Sequence, residues 1–262
     1  MSQQPRVTAY FNRQPERYAA QYGKQTAAGY AFRVRRESLL RLLGPGPGRV
    51  LDIGCGPGVM TDEIVKQGWS YEGIDLAPEM IAVAQKHFAN RTEINFQVGA
   101  VTQIPALDQF FDAVVAMGLM EYLDDEAAAL AEIRRVLKPA GRLIVSIPNW
   151  WSPARMWDRW LLTPLARFYR FLTGRGPSSK LSHREYRLGR YLKFLEQNGF
   201  EAIKWQATNY RVLPRPFDFW FPELAIATAR WSEKYLARIW CLGTSVNVMA
   251  KQKSLGDSAR RE

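Results

Sequence analysis

Three glycines at alternate positions, Gly54, Gly56 and Gly58, stand directly after the apolar run VLDI and directly before a helical pattern. A turn of this composition lets backbone approach a ligand without Cβ interference, and the helix start behind it aims free N–H groups at the same spot. The chemistry this suggests is binding of a nucleotide-like cofactor, with Asp52 at the strand end and Cys55 inside the turn. In the GxGxxG frame set by Gly54 and Gly56, Val59 takes the place of the third glycine, which disfavours a dinucleotide. The next apolar run, YEGID, ends at Asp75, 17 residues beyond Gly58. On a parallel neighbouring strand its carboxylate reaches the same sheet edge, where it can accept two ribose hydroxyl hydrogens.

These residues need a frame, and the sequence predicts one by alternation. From Arg49 to Pro148, strand-like runs (RVLDI, YEGID, INFQV, FDAVVAM, RLIVSI) alternate with helical patterns at 58 to 67, 78 to 89 and 124 to 137. This reads as an α/β fold of βαβ units, a parallel sheet with helices on both faces. A helical pattern over 28 to 43 is broken by Gly44 to Gly48, with Pro45 and Pro47, before the first strand. After Pro148 come Trp150, Trp151, Trp157 and Trp160, then LLTPLARFYRFL and the loop-like TGRGPSSK. Ser182 and Glu185 have capping-box spacing, which predicts a helix from His183 to Asn198 stopped by Gly199. FEAIKWQATNY, a helix near 223 to 238, and TSVNVMAK then supply a final strand pair. The expected division is an N-terminal helical cover (1–48), a cofactor-binding core (49–149), a basic and aromatic helical insertion acting as a lid (150–182), a completion of the sheet (183–251) and a polar tail (252–262).

At 262 residues the chain suits one domain with elaborations, and its 47% hydrophobic and 23% charged content excludes disordered and fibrous classes. Cys55 and Cys241 lack the spacing of a disulfide framework or a zinc site. With no signal-peptide pattern and no long apolar span, the expectation is a cytoplasmic protein, with a peripheral place at the inner membrane face open to it. The net charge of +11 is concentrated: residues 1–50 and 151–190 each hold nine Lys/Arg against two Asp/Glu. Such segments can attract nucleic acid, anionic lipid or acidic substrates, and can equally be solvated faces.

Residues 6 to 148 resemble the class I S-adenosylmethionine-dependent methyltransferases, the group that contains the ubiquinone and menaquinone methyltransferases. LDIGCGPG, GIDLAPEMIAVAQ, FDAVVAMGLMEYLDD and EIRRVLKPAGRLIVSIPN match family blocks in order and spacing. The resemblance implies a Rossmann-like, seven-stranded, mostly parallel sheet with an antiparallel last strand. It implies S-adenosyl-L-methionine as cofactor and S-adenosyl-L-homocysteine as product. Gly54, Gly56 and Gly58 would pass under the methionine part, and Asp52 would orient that loop or the ammonium. Asp75 would hold the ribose hydroxyls, Leu76 and Met80 would wall the adenine, and Met117 and Gly118 would line the channel beside the sulfonium. Ala100 stands where the family often has an acid for the adenine amino group, leaving the Val101 N–H to address the ring. YFNRQPERYAAQY resembles a helical cover from which Tyr18, and further on Arg33, could reach the cofactor carboxylate. MGLMEYLDD keeps Glu121 but has Gly118 and Tyr122 where the ubiquinone O-methyltransferases associate a Glu-His pair with a metal, so the resemblance implies a metal-independent reaction.

Methyl transfer from a sulfonium is an in-line displacement, and alignment in a dry pocket supplies much of the acceleration. For a hydroxyl acceptor a proton must leave, and the candidate bases are His183, Tyr122 and Glu121. Residues 150 to 173 join aromatics and leucines to Arg155, Arg159, Arg167 and Arg170, which suits a lid over a lipid-like substrate or at an anionic membrane, or else the core of a cap. LPRPFDFWFPELAIA, from 213, adds aromatic surface. The expected acceptor is a hydroxyl or amine of a small-molecule or lipid-like compound; RNA methylation through the basic arm and lid, and a non-catalytic cofactor-binding role, are the alternatives.

Overall fold

The structure, a computed structural model, describes residues 3–174, 181, 183–236 and 238–253. Three N-terminal helices, α1 (Gln4–Asn12), α2 (Pro15–Ala20) and α3 (Ala27–Leu43), precede the sheet. Thr26 caps α3 by accepting from the Gly29 N–H, and Gly44, with φ +66°, ends it. The chain then runs through β1 (Gly48–Ile53), α4 (Thr61–Lys66), β2 (Trp69–Asp75), α5 (Pro78–His87), β3 (Ile94–Val98), β4 (Phe111–Met117), α6 (Glu126–Val136) and β5 (Leu137–Pro148). Helices α7 (Pro153–Trp157) and α8 (Thr163–Leu172), joined by a wide helical turn at Asp158–Leu162, follow. The last elements are α9 (Leu188–Gln197), β6 (Phe200–Thr208), α10 (Phe217–Trp220), α11 (Pro222–Leu236) and β7 (Ser245–Gln252).

The seven strands stand in the order β3-β2-β1-β4-β5-β7-β6, and only β7 runs antiparallel to its neighbours. This is the Rossmann-like arrangement expected from the sequence, down to the antiparallel last strand. Strand alternation separates two cores. Phe111, Val114 and Ala116 of β4 join a cluster containing α6 and α9, while Ala113, Val115 and Met117 face α3, α4 and α5. Order reverses at β1 and β4, and in open α/β sheets the crevice beyond the strand ends at that point is where ligands sit.

Packing beneath β2 is tight enough to exclude a methyl group. A Cβ on Gly73 would lie 2.9 Å from both Cys55 Sγ and Phe96 Cδ1. Gly73→Ala is therefore expected to cost about 1–3 kcal/mol by overpacking and to lower the thermal midpoint by several degrees.

Two expectations change. Helix α4 starts at Thr61 and not at 58, because Gly58 has φ +76° and the Gly58 and Thr61 N–H groups close successive turns on Cys55 O and Gly58 O. The helix expected from His183 starts at Leu188. Residues 183–187 are extended because nonlocal partners claim them: the Arg184 N–H donates to Glu121 O, the Tyr186 N–H to Pro148 O, and Glu185 is ion-paired with Arg155 and Arg159. Ser182, the anticipated cap, lies outside the described residues, as do most of TGRGPSSK and the tail from 254.

Candidate active site

Strand β1 delivers its glycine turn to the crevice, and β2 fixes the turn there. The Gly54 and Cys55 N–H groups both donate to Ile74 O, at 2.7 and 3.1 Å, and the Gly56 N–H donates to Asp75 Oδ2 at 2.9 Å. The other carboxylate oxygen, Oδ1, accepts from the Ala77 N–H at 2.8 Å. A carboxylate offers about four lone-pair positions, so acceptor capacity is left for a ligand. Burial raises the Asp75 pKa, against the lowering effect of these backbone bonds.

The loop amides are held by Ile74 O and Asp75, whereas Asp52, expected to orient that loop or the cofactor ammonium, turns to Tyr71. Its own side chain is buried, and Oδ2 accepts from the Tyr71 hydroxyl at 2.8 Å. Desolvation pushes its pKa up to about 7, with the Tyr71 bond opposing and Asp75 reinforcing the rise.

A cavity opens over this loop. Gly54, Gly56, Asp75, Leu76, Met80, Ala100, Val101, Met117 and Gly118 all line it, as does Tyr18. The sequence thus located most of the wall. Gly56, with φ +55°, is a true cradle position: a Cβ there would enter the space between Tyr18 Cε1 and Met80 Sδ, 3.8 and 4.0 Å away. Cys55 and Gly58 sit behind the wall instead. The Cys55 thiol is buried on the Gly56 carbonyl and pushed up in pKa by burial, and Gly58 is glycine because a Cβ would meet Phe88 and Phe96.

Helix α1 covers the mouth with Gln4, Val7, Thr8 and Phe11, the last making edge contacts with Tyr18 and Tyr122 at ring-centroid distances of 5.8 and 6.0 Å. Tyr122 lines the cavity too, and burial raises its pKa.

Arg33 is not at the site. Its Nη1 donates to Tyr22 O and Lys24 O, tying down the segment before α3. Behind the cavity wall at Gly118 stands Arg35, which the sequence reading missed. Arg35 stacks on Phe32, its Nη1 lies 2.8 Å from where a Gly118 Cβ would stand, and its buried Nε has no partner among the described residues. The signal was helical period: residues 35, 38, 39 and 42 share the inward stripe of α3, and 33 lies off it.

Beside Arg35, Glu121 is buried with Oε2 unpartnered and Oε1 3.7 Å from the same Gly118 position. Desolvation raises its pKa to about 7, with Arg35 and Arg155 holding it down. His183 packs edge-on to Tyr122 at 6.4 Å, but its Nε2 faces Arg155 Nη1 at 3.0 Å. Because an arginine only donates, that nitrogen is the acceptor and carries no proton. Burial, with Arg155 and Arg215 nearby, lowers the ring's pKa to about 4. Its one basic lone pair is therefore already engaged. Among the described residues, no group of three or more His, Cys, Asp or Glu side chains is placed to hold a metal ion.

The residues present fit an adenosyl sulfonium compound: a glycine cradle, a carboxylate with spare acceptor capacity and an apolar wall. Residues 51–145 match the methyltransferase domain family. A ubiquinone biosynthesis O-methyltransferase of Xylella fastidiosa is 35% identical over 118 residues, 44% of this chain and 48% of that protein. One of Xanthomonas axonopodis is also 35% identical over 118 residues. The chain thus spans about half the length of the curated relatives it matches. An S-adenosylmethionine-dependent methyltransferase of Thermotoga maritima has the same fold, with a TM-score of 0.60 and 20% identity, covering 93% of this chain and 98% of that one. A chain of the complex between the Haloferax volcanii Trm112 methyltransferase activator and a methyltransferase matches with a TM-score of 0.63 and 18% identity, over 91% of this chain and 96% of that one. Glycine turn, acidic strand end and strand order agree with that domain match, and residues 51–145 form a domain similar to those of the S-adenosylmethionine-dependent methyltransferases.

Proposed function

We propose that the protein transfers a methyl group from S-adenosylmethionine to a hydroxyl of a small-molecule or lipid-like acceptor, without a metal. The observation that carries this reading is the placement of Glu121, a buried carboxylate with one oxygen unpartnered, against Gly118 in the wall of a cavity suited to the cofactor. The bound cofactor supplies an electrophilic methyl group. Asp75 and the glycine turn bind and orient; Leu76, Met80 and Val101 keep water off one side of the cavity, and Phe11 and Tyr122 cover the mouth. Glu121 Oε2 takes the acceptor's hydroxyl proton. A base whose pKa lies near 7 is matched to that task at neutral pH. Arg35, adjacent, favours the carboxylate form. The lipid-like acceptor draws support from the relatives, whose names refer to ubiquinone biosynthesis.

Incubating the protein with labelled cofactor and cell extract, then partitioning into lipid, small-molecule and RNA fractions, tests the acceptor class; label in RNA alone would overturn it. For the base, kcat is expected to rise with pH through a limb near 7. Glu121→Gln should lower kcat by about 10²-fold and abolish that limb while leaving cofactor affinity unchanged. A variant that retains the limb removes Glu121 from the role.

A further inference from the structure

Helix α8 is amphipathic, yet none of its ten residues is buried. Leu165, Phe168, Tyr169 and Leu172 recur at helical spacing on one face, continuing Leu161 from the preceding turn, and Phe171 borders them. Phe168, Phe171 and Leu172 are 62%, 81% and 65% exposed. The aromatics of this insertion therefore do not form the core of a cap. Arg167 and Arg170 occupy the opposite side.

The base of this arm is firmly held. Arg155 Nε donates to Thr244 O at 2.7 Å, Arg155 and Arg159 pair with Glu185, and the Arg159 guanidinium lies 3.7 Å from the centre of the Trp150 ring. The Trp157 indole N–H donates to Arg215 O at 2.9 Å, and Arg215 pairs with Asp158 at 3.0 Å. Just beyond Arg215 the chain enters FDFWF, residues 217–221, where Phe219 is 81% exposed and Trp220 and Phe221 are exposed as well. Two aromatic segments thus leave the body from one junction.

We infer that α8, together with residues 217–221, docks on the surface of an anionic lipid bilayer, with the α8 axis in the plane of the interface. Charge identifies the occupant. From Arg159 to Ser182 the sequence has five Lys/Arg and no Asp/Glu, so a second copy of the chain seated on this face would bring like charges together, whereas lipid phosphates neutralise them. Aromatic and leucine side chains on one face with arginines on the other is the pattern of helices that lie in a membrane interface. At ten residues, or about 15 Å, α8 is far too short to cross, and no helix among the described residues is long and apolar enough to do so. The inference stands independently of the methyl-transfer reading.

Flotation of the full chain with vesicles tests it. Binding to phosphatidylcholine vesicles containing about one quarter phosphatidylglycerol is expected to exceed that to pure phosphatidylcholine by about tenfold or more. The double variant Phe168→Ser, Leu172→Ser should lose at least about tenfold on the anionic vesicles. Arg167→Gln with Arg170→Gln should bring anionic binding close to the neutral level. Arg167, Phe168 and Leu172 are exposed and Arg170 is half-buried at the surface, so an unchanged thermal midpoint is the folding control and needs no cofactor. The inference is overturned if the parent protein floats with neither vesicle, or if the apolar variant floats as well as the parent. It is equally overturned if sedimentation velocity shows a dimer that the apolar variant converts to monomer, or if the arginine variant loses RNA binding while vesicle binding is intact.

Discussion

Asp75→Ala is expected to raise the dissociation constant for S-adenosylmethionine by about 30-fold, or roughly 2 kcal/mol, measured by calorimetry. The side chain does two things at once. Its spare lone pairs would accept from the ribose hydroxyls, and its two oxygens hold the Gly56 and Ala77 N–H groups. Losing the second function alone would loosen the cradle, but those amides border an open cavity, where water can replace the lost acceptor. The thermal midpoint of the ligand-free variant should therefore fall by only a few degrees. An unchanged binding isotherm would remove Asp75 from the cofactor site, and with it the principal reason for placing the cofactor there.

Asp52→Asn is expected to stabilise the ligand-free protein at neutral pH by an amount on the order of 4 kcal/mol, and hardly at all near pH 4. Burial raises the Asp52 pKa to about 7 from an ordinary 3.8. Between those values the unfolded chain has released the proton and the folded chain still holds it. Stability of the parent protein therefore declines as pH rises through this window, at about 1.4 kcal/mol per pH unit, and levels off above pH 7. Asparagine is neutral throughout and keeps an oxygen for the Tyr71 hydroxyl, so the variant escapes the decline. Denaturant unfolding of both proteins from pH 4 to 8 checks this. A gain of equal size at every pH would show that Asp52 is not protonated in the fold.

Much of the cofactor end could be read directly from residue order. The strand–glycine–helix punctuation at 50–58 and the strand end at Asp75 depend on local backbone requirements, and the structure brings both to one crevice. The acceptor end was less legible. Arg33 and Arg35 are two positions apart in one basic run, and only the rotation of α3 against the sheet decides which packs behind Gly118 in the cavity wall. His183 and Glu121 are comparable candidate bases in sequence, and the Arg155 guanidinium against the imidazole separates them.

The sequence by itself determined the sheet, its strand order by resemblance, and the glycine turn at the crevice, because strand period, helix caps and positive-φ glycines act over a few neighbouring residues. The tertiary structure decided what depends on partners distant in the chain. Residues 183–187 abandon their capping signal to pair with 121 and 148, Asp52 turns to Tyr71, and α8 keeps its apolar face outside the core. Local propensity amounts to about 1 kcal/mol per cap or turn, and a set of nonlocal hydrogen bonds and buried contacts outweighs it.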